Sequence, residues 1–335
     1  MATINDGNPT LLDIAKRTDP DGKIGVVAEL LSQTNEILTD ATFVQGNLPT
    51  GHRVVVRTGL PTVYWRALNA GVPTSKSRTA QIDESCGMLE ARSHVDVKLA
   101  KLHDDINGFR MSEDRAFIEA MNQTQAETIF YGDTASDPKS FTGLATRYSD
   151  SAAGNGQNII KAGGAGSDNT SIWLVVWSPE TVFCTFPKNS TAGLQHRDLG
   201  EETVLDGSSN PFQALRTLYQ WDNGLVVKDW RYAVRICNID VSVLVADSSA
   251  ADLVKLMIRA MARIPSMGMG RPVFYMNRTV REFLEIQAVG KSASSTVVNN
   301  VQFTESGNFG KVITTFRGVP IRTCDQLLDT EATVA

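Results

Sequence analysis

Residues 51–99 constrain the fold most, because they predict a structure that cannot stand alone. Along Leu89–Leu99, apolar or small side chains alternate strictly with polar ones, which predicts a strand with one covered face. Upstream, residues 53–57 and 62–66 are rich in β-branched and aromatic residues. The stretch between these limbs, residues 69–85, is polar. We predict a long two-stranded ribbon with a polar tip, which is marginally stable by itself and needs a surface to lie on.

Residues 1–48 are predicted to form an arm. Asparagine, aspartate, proline and glycine interrupt it repeatedly, leaving two short amphipathic helices around residues 11–16 and 26–38. These helices carry too few apolar residues to make a core. The arm is therefore expected to lie on its own chain or on a neighbour.

The periodicity becomes helical at Ser112, a good N-cap, and a helix is predicted from there to Phe130. Only a narrow apolar stripe runs along this helix. The short motif Phe141–Leu144 follows. Residues 149–169 are rich in glycine, serine, alanine and asparagine and are predicted to be a loop.

Residues 172–246 are predicted to be mainly β. The strands are expected at 172–177, 182–186, 225–230 and 232–246, interrupted by an acidic patch that contains Asp198, Glu201, Glu202 and Asp206.

The remaining body is predicted to contain helices. Leu253–Ile264 has the most regular helical spacing of apolar residues in the chain and ends before Pro265. A buried strand at 273–276 precedes a helix at 279–288 that Asn277 caps. The segments 312–316, 318–322 and 325–328 close the chain.

The sequence contains no recognisable catalytic, cofactor-binding or metal-binding motif. The four histidines, at positions 52, 94, 103 and 196, lack the spacing of zinc ligands, and the four cysteines lie far apart. The glycine-rich stretch 163–166 lacks the Gly-Lys-Ser/Thr of a phosphate loop. We therefore predict neither an enzyme nor a cofactor. The longest apolar run, residues 172–177, is far shorter than the ~20 residues that cross a bilayer, so no membrane partner is expected.

Charge is distributed unevenly along the chain. The chain carries a net −5, too mild for a dedicated nucleic-acid binder, yet residues 51–80 contain five basic residues and no acid. One interpretation is a solvated hairpin, and the other is electrostatic docking on an acidic surface or phosphate. The candidate contact residues are Arg53, Arg57, Arg66, Lys76 and Arg78.

The order of arm, ribbon, lone helix, Phe141–Leu144 and mixed body resembles the major capsid proteins of tailed double-stranded DNA phages. These have the Hong Kong 97-type fold, and the chain is similar to capsid proteins of short-tailed phages of the epsilon15 and Bordetella-phage kind. Residues 318–322, followed by Asp325 and two leucines, resemble a late strand of such shells. In commoner members the helix pair precedes the long strands. Here the strands come first, which suggests a rearranged connectivity.

The resemblance implies an α+β fold in four segments. These are an N-terminal arm (1–48), an extended β-ribbon loop (49–100), a peripheral domain with the spine helix and long strands (101–247), and an axial domain with the C-terminal strand (248–335). The implied function is a structural major capsid protein that self-assembles into the icosahedral shell enclosing phage double-stranded DNA.

The resemblance also implies partners. The chain is expected to bind itself in hexamers and pentamers, together with portal, scaffolding and decoration or cement proteins, and to meet packaged DNA non-specifically. Its expected place is the virion capsid, assembled in the host bacterial cytoplasm. Two alternatives stay open, a hydrolase or transferase of unrecognised motif and an encapsulin-like nanocompartment shell protein.

By the same resemblance, the ribbon lies across an adjacent subunit and should meet acidic residues there. The candidate counterparts lie in two groups near positions 200 and 328, and they are Asp198, Glu201, Glu202, Asp206, Asp325, Asp329 and Glu331.

Overall fold

A computed structural model of the chain describes residues 9, 32–102, 106–246, 251–294, 301–306 and 311–335. The predicted helix around 11–16 and residues 26–31 of the one around 26–38 lie outside the described residues, as does His103. Residues 32–36 form no helix, so the described part of the second helix prediction is wrong up to Ile37, where a short helix begins.

The strands, in chain order, are β1 Phe43–Gln45, β2 Gly51–Gly59, β3 Arg78–Ser85, β4 Gly87–Asp96, β5 Ile159–Lys161, β6 Asn169–Trp177, β7 Val182–Phe186, β8 Gln195–Leu205, β9 Pro211–Val227, β10 Ala233–Asp240, β11 Arg271–Met276, β12 Val301–Ser306, β13 Lys311–Phe316 and β14 Val319–Thr323. The α-helices are α1 Ile37–Asp40, α2 Val97–Ala100, α3 Ile106–Tyr131, α4 Leu144–Arg147, α5 Val241–Ala246, α6 Leu253–Arg263 and α7 Arg278–Ser294.

One large mixed sheet forms the middle of the molecule, with the strand order β12-β13-β14-β11-β6-β7-β9-β4. β10 pairs with β5 and β6, β1 with β7, and β8 with β9. The central strand β6 is buried along its whole length. Its continuous apolar run is typical of a strand that is covered on both faces.

The two faces of β6 contribute to two different hydrophobic cores, because successive side chains of a strand point to opposite sides. Ile172, Leu174 and Val176 pack in one core with residues of α6 and α7. Trp173, Val175 and Trp177 pack in the other with residues of α1, α3 and α4.

The predictions for α6, β11 and α7 are confirmed. Leu256 and Met257 are buried on α6, which ends at Arg263, just before Pro265. At the start of α7, the Asn277 side-chain oxygen accepts a hydrogen bond from Val280 N at 2.8 Å, as expected for an N-cap.

The ribbon exists, but its predicted return limb is wrong. β2 pairs with β3, whereas the alternating segment forms β4, which pairs antiparallel with β9. Residues 62–66 form no strand. Alternation reveals a half-covered strand but not its partner, and β9 lies more than a hundred residues away. The predicted polar tip therefore included the true return limb, Arg78–Ser85.

The spine helix α3 is present, but it begins at Ile106, so Ser112 lies inside it and does not cap it. Gly108, a residue with poor helix propensity, obscured the first turns in the sequence. Only six of its 26 residues are buried, in agreement with its narrow apolar stripe.

Three predictions for residues 195–246 are corrected. The acidic patch does not interrupt strands, since it lies along β8, which pairs with β9 over its length. β9 is much longer than predicted and begins at Pro211. The predicted strand 232–246 ends at Asp240, whose carboxylate accepts from Val243 N at 2.9 Å and so favours the start of α5.

Residues 33–40 and 322–326 bind each other and are called here the clasp. Thr34 N donates to the Asp325 carboxylate at 2.8 Å, and Thr323 N donates to the Glu36 carboxylate at 3.1 Å. Arg322 Nε donates to the buried Asp40 carboxylate at 3.1 Å. Residues 322–326, which follow β14, thus help to fix the segment that leads to β1. One sheet runs through residues 101–247 and 248–335 alike, so the four-part division of the chain stays a prediction.

Candidate assembly interface

The root of the ribbon is fixed to the body by a small apolar cluster. Val54 is buried against Phe183 and Val226, and the His52 ring meets the Phe183 ring edge-on at 5.4 Å between centroids. Burial, with a smaller effect of Lys228, lowers the pKa of His52 and favours its neutral form. At Gly51 a side chain would overlap the Glu84 carbonyl oxygen, so only glycine permits this close approach of the two strand backbones.

Beyond its root, the ribbon is left uncovered by the described part of the body. Within residues 55–83, all of which the structure describes, no residue is buried. A groove of about 880 Å³ separates Val55, Leu60 and Ile82 from the ends of β7 and β9. The ribbon therefore projects from the body.

The tip of the ribbon, residues 60–77, is apolar at its most exposed positions. Trp65 is fully exposed, and Leu60, Val63 and Leu68 are each more than 80% exposed. Soluble monomers seldom leave apolar groups of this size together in water. The sequence prediction placed the tip at 69–85 and residues 62–66 in a strand limb, and so missed this feature, although Leu60 and residues 63–68 display it in the sequence.

One of the five basic ribbon residues is neutralised within the ribbon. Arg53 Nε and Nη2 each bond the Asp83 carboxylate at 2.6 Å, and this contact lowers the pKa of Asp83. Arg66 Nε donates to the Ala70 carbonyl at 2.8 Å. Among the described residues, no acid pairs with Arg57, Arg66, Lys76 or Arg78.

In the first acidic group, two of the four candidates are already in ion pairs. Arg110 lies 2.8 Å from Asp198 and holds the pKa of that carboxyl below its ordinary value. Glu202 pairs with Arg216. The third candidate, Asp206, accepts from the backbone N–H groups of its own turn. Glu201 is exposed and has no polar partner in the described part of the chain.

In the second acidic group, the candidates serve the subunit itself. Arg278 pairs with Asp325 at 2.7 Å, while burial raises the pKa of Asp329, which accepts from Asn277. Glu331 is buried, and it pairs with buried Arg235 at 2.9 Å. The carboxylate of Glu331 is therefore already paired inside its own subunit, and its role as a partner of a neighbour's ribbon stays a prediction.

The described residues contain no cluster of three or more histidine, cysteine, aspartate or glutamate side chains suited to a metal ion. No described helix is both long and apolar enough to cross a membrane.

The chain is similar to known proteins in both sequence and architecture. A family model described as Major capsid protein GP7 matches residues 19–335. A chain in the cryo-EM structure of bacteriophage epsilon15 is 34% identical, with 100% of this chain and 99% of that chain covered and a TM-score of 0.77. A chain of the bacteriophage JBD30 capsid is 10% identical, with 89% and 92% covered and a TM-score of 0.48. No curated protein matches the chain.

The mixed sheet, the spine helix and the projecting ribbon define a phage capsid subunit of the Hong Kong 97-type fold, as predicted. The chain belongs to the major capsid protein GP7 family. Its role is structural, and copies of it form the icosahedral shell of a bacteriophage. Neither alternative, an enzyme or an encapsulin-like compartment, is supported by these likenesses.

Proposed function

We propose that the ribbon is the contact by which each subunit of the shell docks on its neighbour. The observation that carries this proposal is the exposed tip, where Trp65 and three aliphatic side chains have no cover from the described part of their own subunit. Covering one large apolar side chain is worth ~1.5–3 kcal/mol. A second copy that covers the tip therefore gains most of its contact energy from these residues.

Charge complementarity favours a second copy as the partner. Residues 55–82 carry +4 and no acid, while the whole chain carries −5, so the remainder of each subunit carries −9. Glu201 is the candidate counterpart whose side chain is exposed and has no polar partner in the described part of the chain. Exposed ion pairs contribute only ~0–1 kcal/mol each, but a shell repeats every contact at each subunit boundary.

The double variant Arg57→Glu/Arg66→Glu tests this proposal. We expect a folded, soluble subunit that forms few or no shells by electron microscopy, since the reversed charges repel the acidic neighbour. The matched control, Arg57→Lys/Arg66→Lys, keeps the charge and should assemble. High salt should weaken wild-type assembly mildly through screening. Normal shells at normal yield from the charge-reversed variant would refute electrostatic docking.

Further partners are proposed from the same family membership. Subunits are proposed to form the hexamers and pentamers of the shell in the host bacterial cytoplasm, and to meet portal, scaffolding and decoration or cement proteins there. Packaged double-stranded DNA is proposed to contact the shell non-specifically, in agreement with the mild net charge. The subunit is proposed to act without catalysis. Electron microscopy of the chain expressed alone tests self-assembly, and a compact monomer that never forms shells or capsomers would contradict it.

A further inference from the structure

Two bidentate arginine–carboxylate pairs with the same bond lengths hold the ribbon, but they join different parts of the molecule. Arg53 grips Asp83 with two bonds of 2.6 Å, and both residues lie within the ribbon. Arg147 grips Glu84 with two bonds of 2.6 Å, and Arg147 lies on α4, in the body. Only the second pair can set how the ribbon leaves the body.

Arg147 is itself held in place by the body. Its Nη2 also donates to the backbone carbonyls of Thr142 and Leu225, at 3.2 Å each. Its own carbonyl accepts from the Asn155 side chain at 2.8 Å. One guanidinium therefore connects β3, the turn before α4, and β9. Glu84 is buried, so water does not compete strongly for this pair.

We infer that Arg147 is a positioning residue, which fixes the angle of the ribbon so that its tip meets the neighbouring subunit. This inference rests on the proposed function of the ribbon. β2 has nine residues. At ~3.3 Å per residue it spans about 30 Å, so a rotation of about 10° at the root moves its far end by about 5 Å. The groove beneath the ribbon leaves room for such a rotation. A displacement of this size separates the tip from its receiving surface.

The test measures the ribbon angle directly in the unassembled subunit. Spin labels are placed on cysteines introduced at Gly71, in the tip, and at Lys139, on the body, both of which are exposed. Cys86 is replaced by serine, because the other three cysteines are buried and do not react with the label. In this background, Arg147→Gln should broaden the tip-to-body distance distribution by about 5 Å, whereas wild type keeps a narrow one.

Arg53→Gln is the matched control, since it removes a pair with the same bond lengths inside the ribbon. It should leave the distance distribution unchanged. Glu84→Gln should broaden the distribution as Arg147→Gln does, and the exchanged pair Glu84→Arg/Arg147→Glu should narrow it again. Thermal melting of these two variants shows whether each keeps its fold. A change in the ribbon angle is thereby distinguished from unfolding.

The yield of assembled shells shows whether the angle of the ribbon matters for assembly. We expect Arg147→Gln to lose shells while Arg53→Gln keeps wild-type yield. An unchanged distance distribution in Arg147→Gln overturns the inference, and so does a broadened one with normal shell yield. If Arg57→Glu/Arg66→Glu assembles normally while Arg147→Gln still broadens the distribution and loses shells, electrostatic docking fails and the positioning role stands.

Discussion

Replacement of Glu331 by alanine should destabilise the subunit strongly. Its carboxylate accepts from Arg235 Nη2 at 2.9 Å, from the Tyr131 hydroxyl at 2.6 Å and from the Ser171 hydroxyl. Arg235, which is 4% exposed, also lies 5.3 Å from the centre of the Trp173 ring. Removing one partner of a buried ion pair leaves the other charge uncompensated and costs ~3–5 kcal/mol.

A loss of about 4 kcal/mol corresponds to a melting temperature lowered by about 8 °C, at roughly 2 °C per kcal/mol for a chain of this size. Differential scanning calorimetry of unassembled subunits measures it. Glu331→Gln keeps the shape and should show a similar loss, because Arg235 remains unpaired. Glu201→Ala, at an exposed position without a partner in the described chain, should change the melting temperature little. A decrease below about 2 °C for Glu331→Ala would refute the reasoning.

Three further outcomes are expected. Leu256→Ala should cost ~2–5 kcal/mol and Met257→Asp at least as much, because both residues are buried on α6; unchanged melting temperatures would contradict this. In the folded subunit, the hydrogen bond from Arg110 lowers the pKa of Asp198 from its ordinary value of 3.8. Their contact therefore stabilises the fold fully above that ordinary pKa, and this stabilisation is lost as the pH falls through the lower pKa of the folded state. Asp198→Asn should remove this acid-dependent loss in denaturation measured between pH 5 and 2. Empty shells should bind free duplex DNA weakly at physiological salt, and tight sequence-specific binding in a filter assay would contradict the mild net charge.

The sequence was informative wherever a local pattern determines a structure. Strict helical spacing before Pro265 predicted α6, and the continuous apolar run predicted the central strand β6. Asn277 predicted the start of α7, because a cap depends on residues only three positions apart. The order of the elements along the chain carried the family resemblance, and the resemblance added the expected function, which no single pattern contained.

The errors share a physical cause, which is that pairing partners are distant in sequence. The alternation in β4 is real, but its partner β9 could not be identified from it, so the ribbon received the wrong return limb. The pairing of acidic candidates inside the subunit could not be foreseen, for a related reason. Asp325 and Glu331 resemble solvated acids in sequence, and only the fold brings Arg278 and Arg235 to them.

The clasp has a consequence for biosynthesis. Residues 33–40 leave the ribosome 282 to 291 residues before their partners at 322–326. Until those partners are made, the segment that leads to β1 lacks these contacts, and the buried carboxylate of Asp40 lacks its Arg322 partner. An interrupted or truncated chain therefore carries a ribbon on an unfinished body. Only chains that extend through residue 326 can close the clasp and present the finished surface to a growing shell.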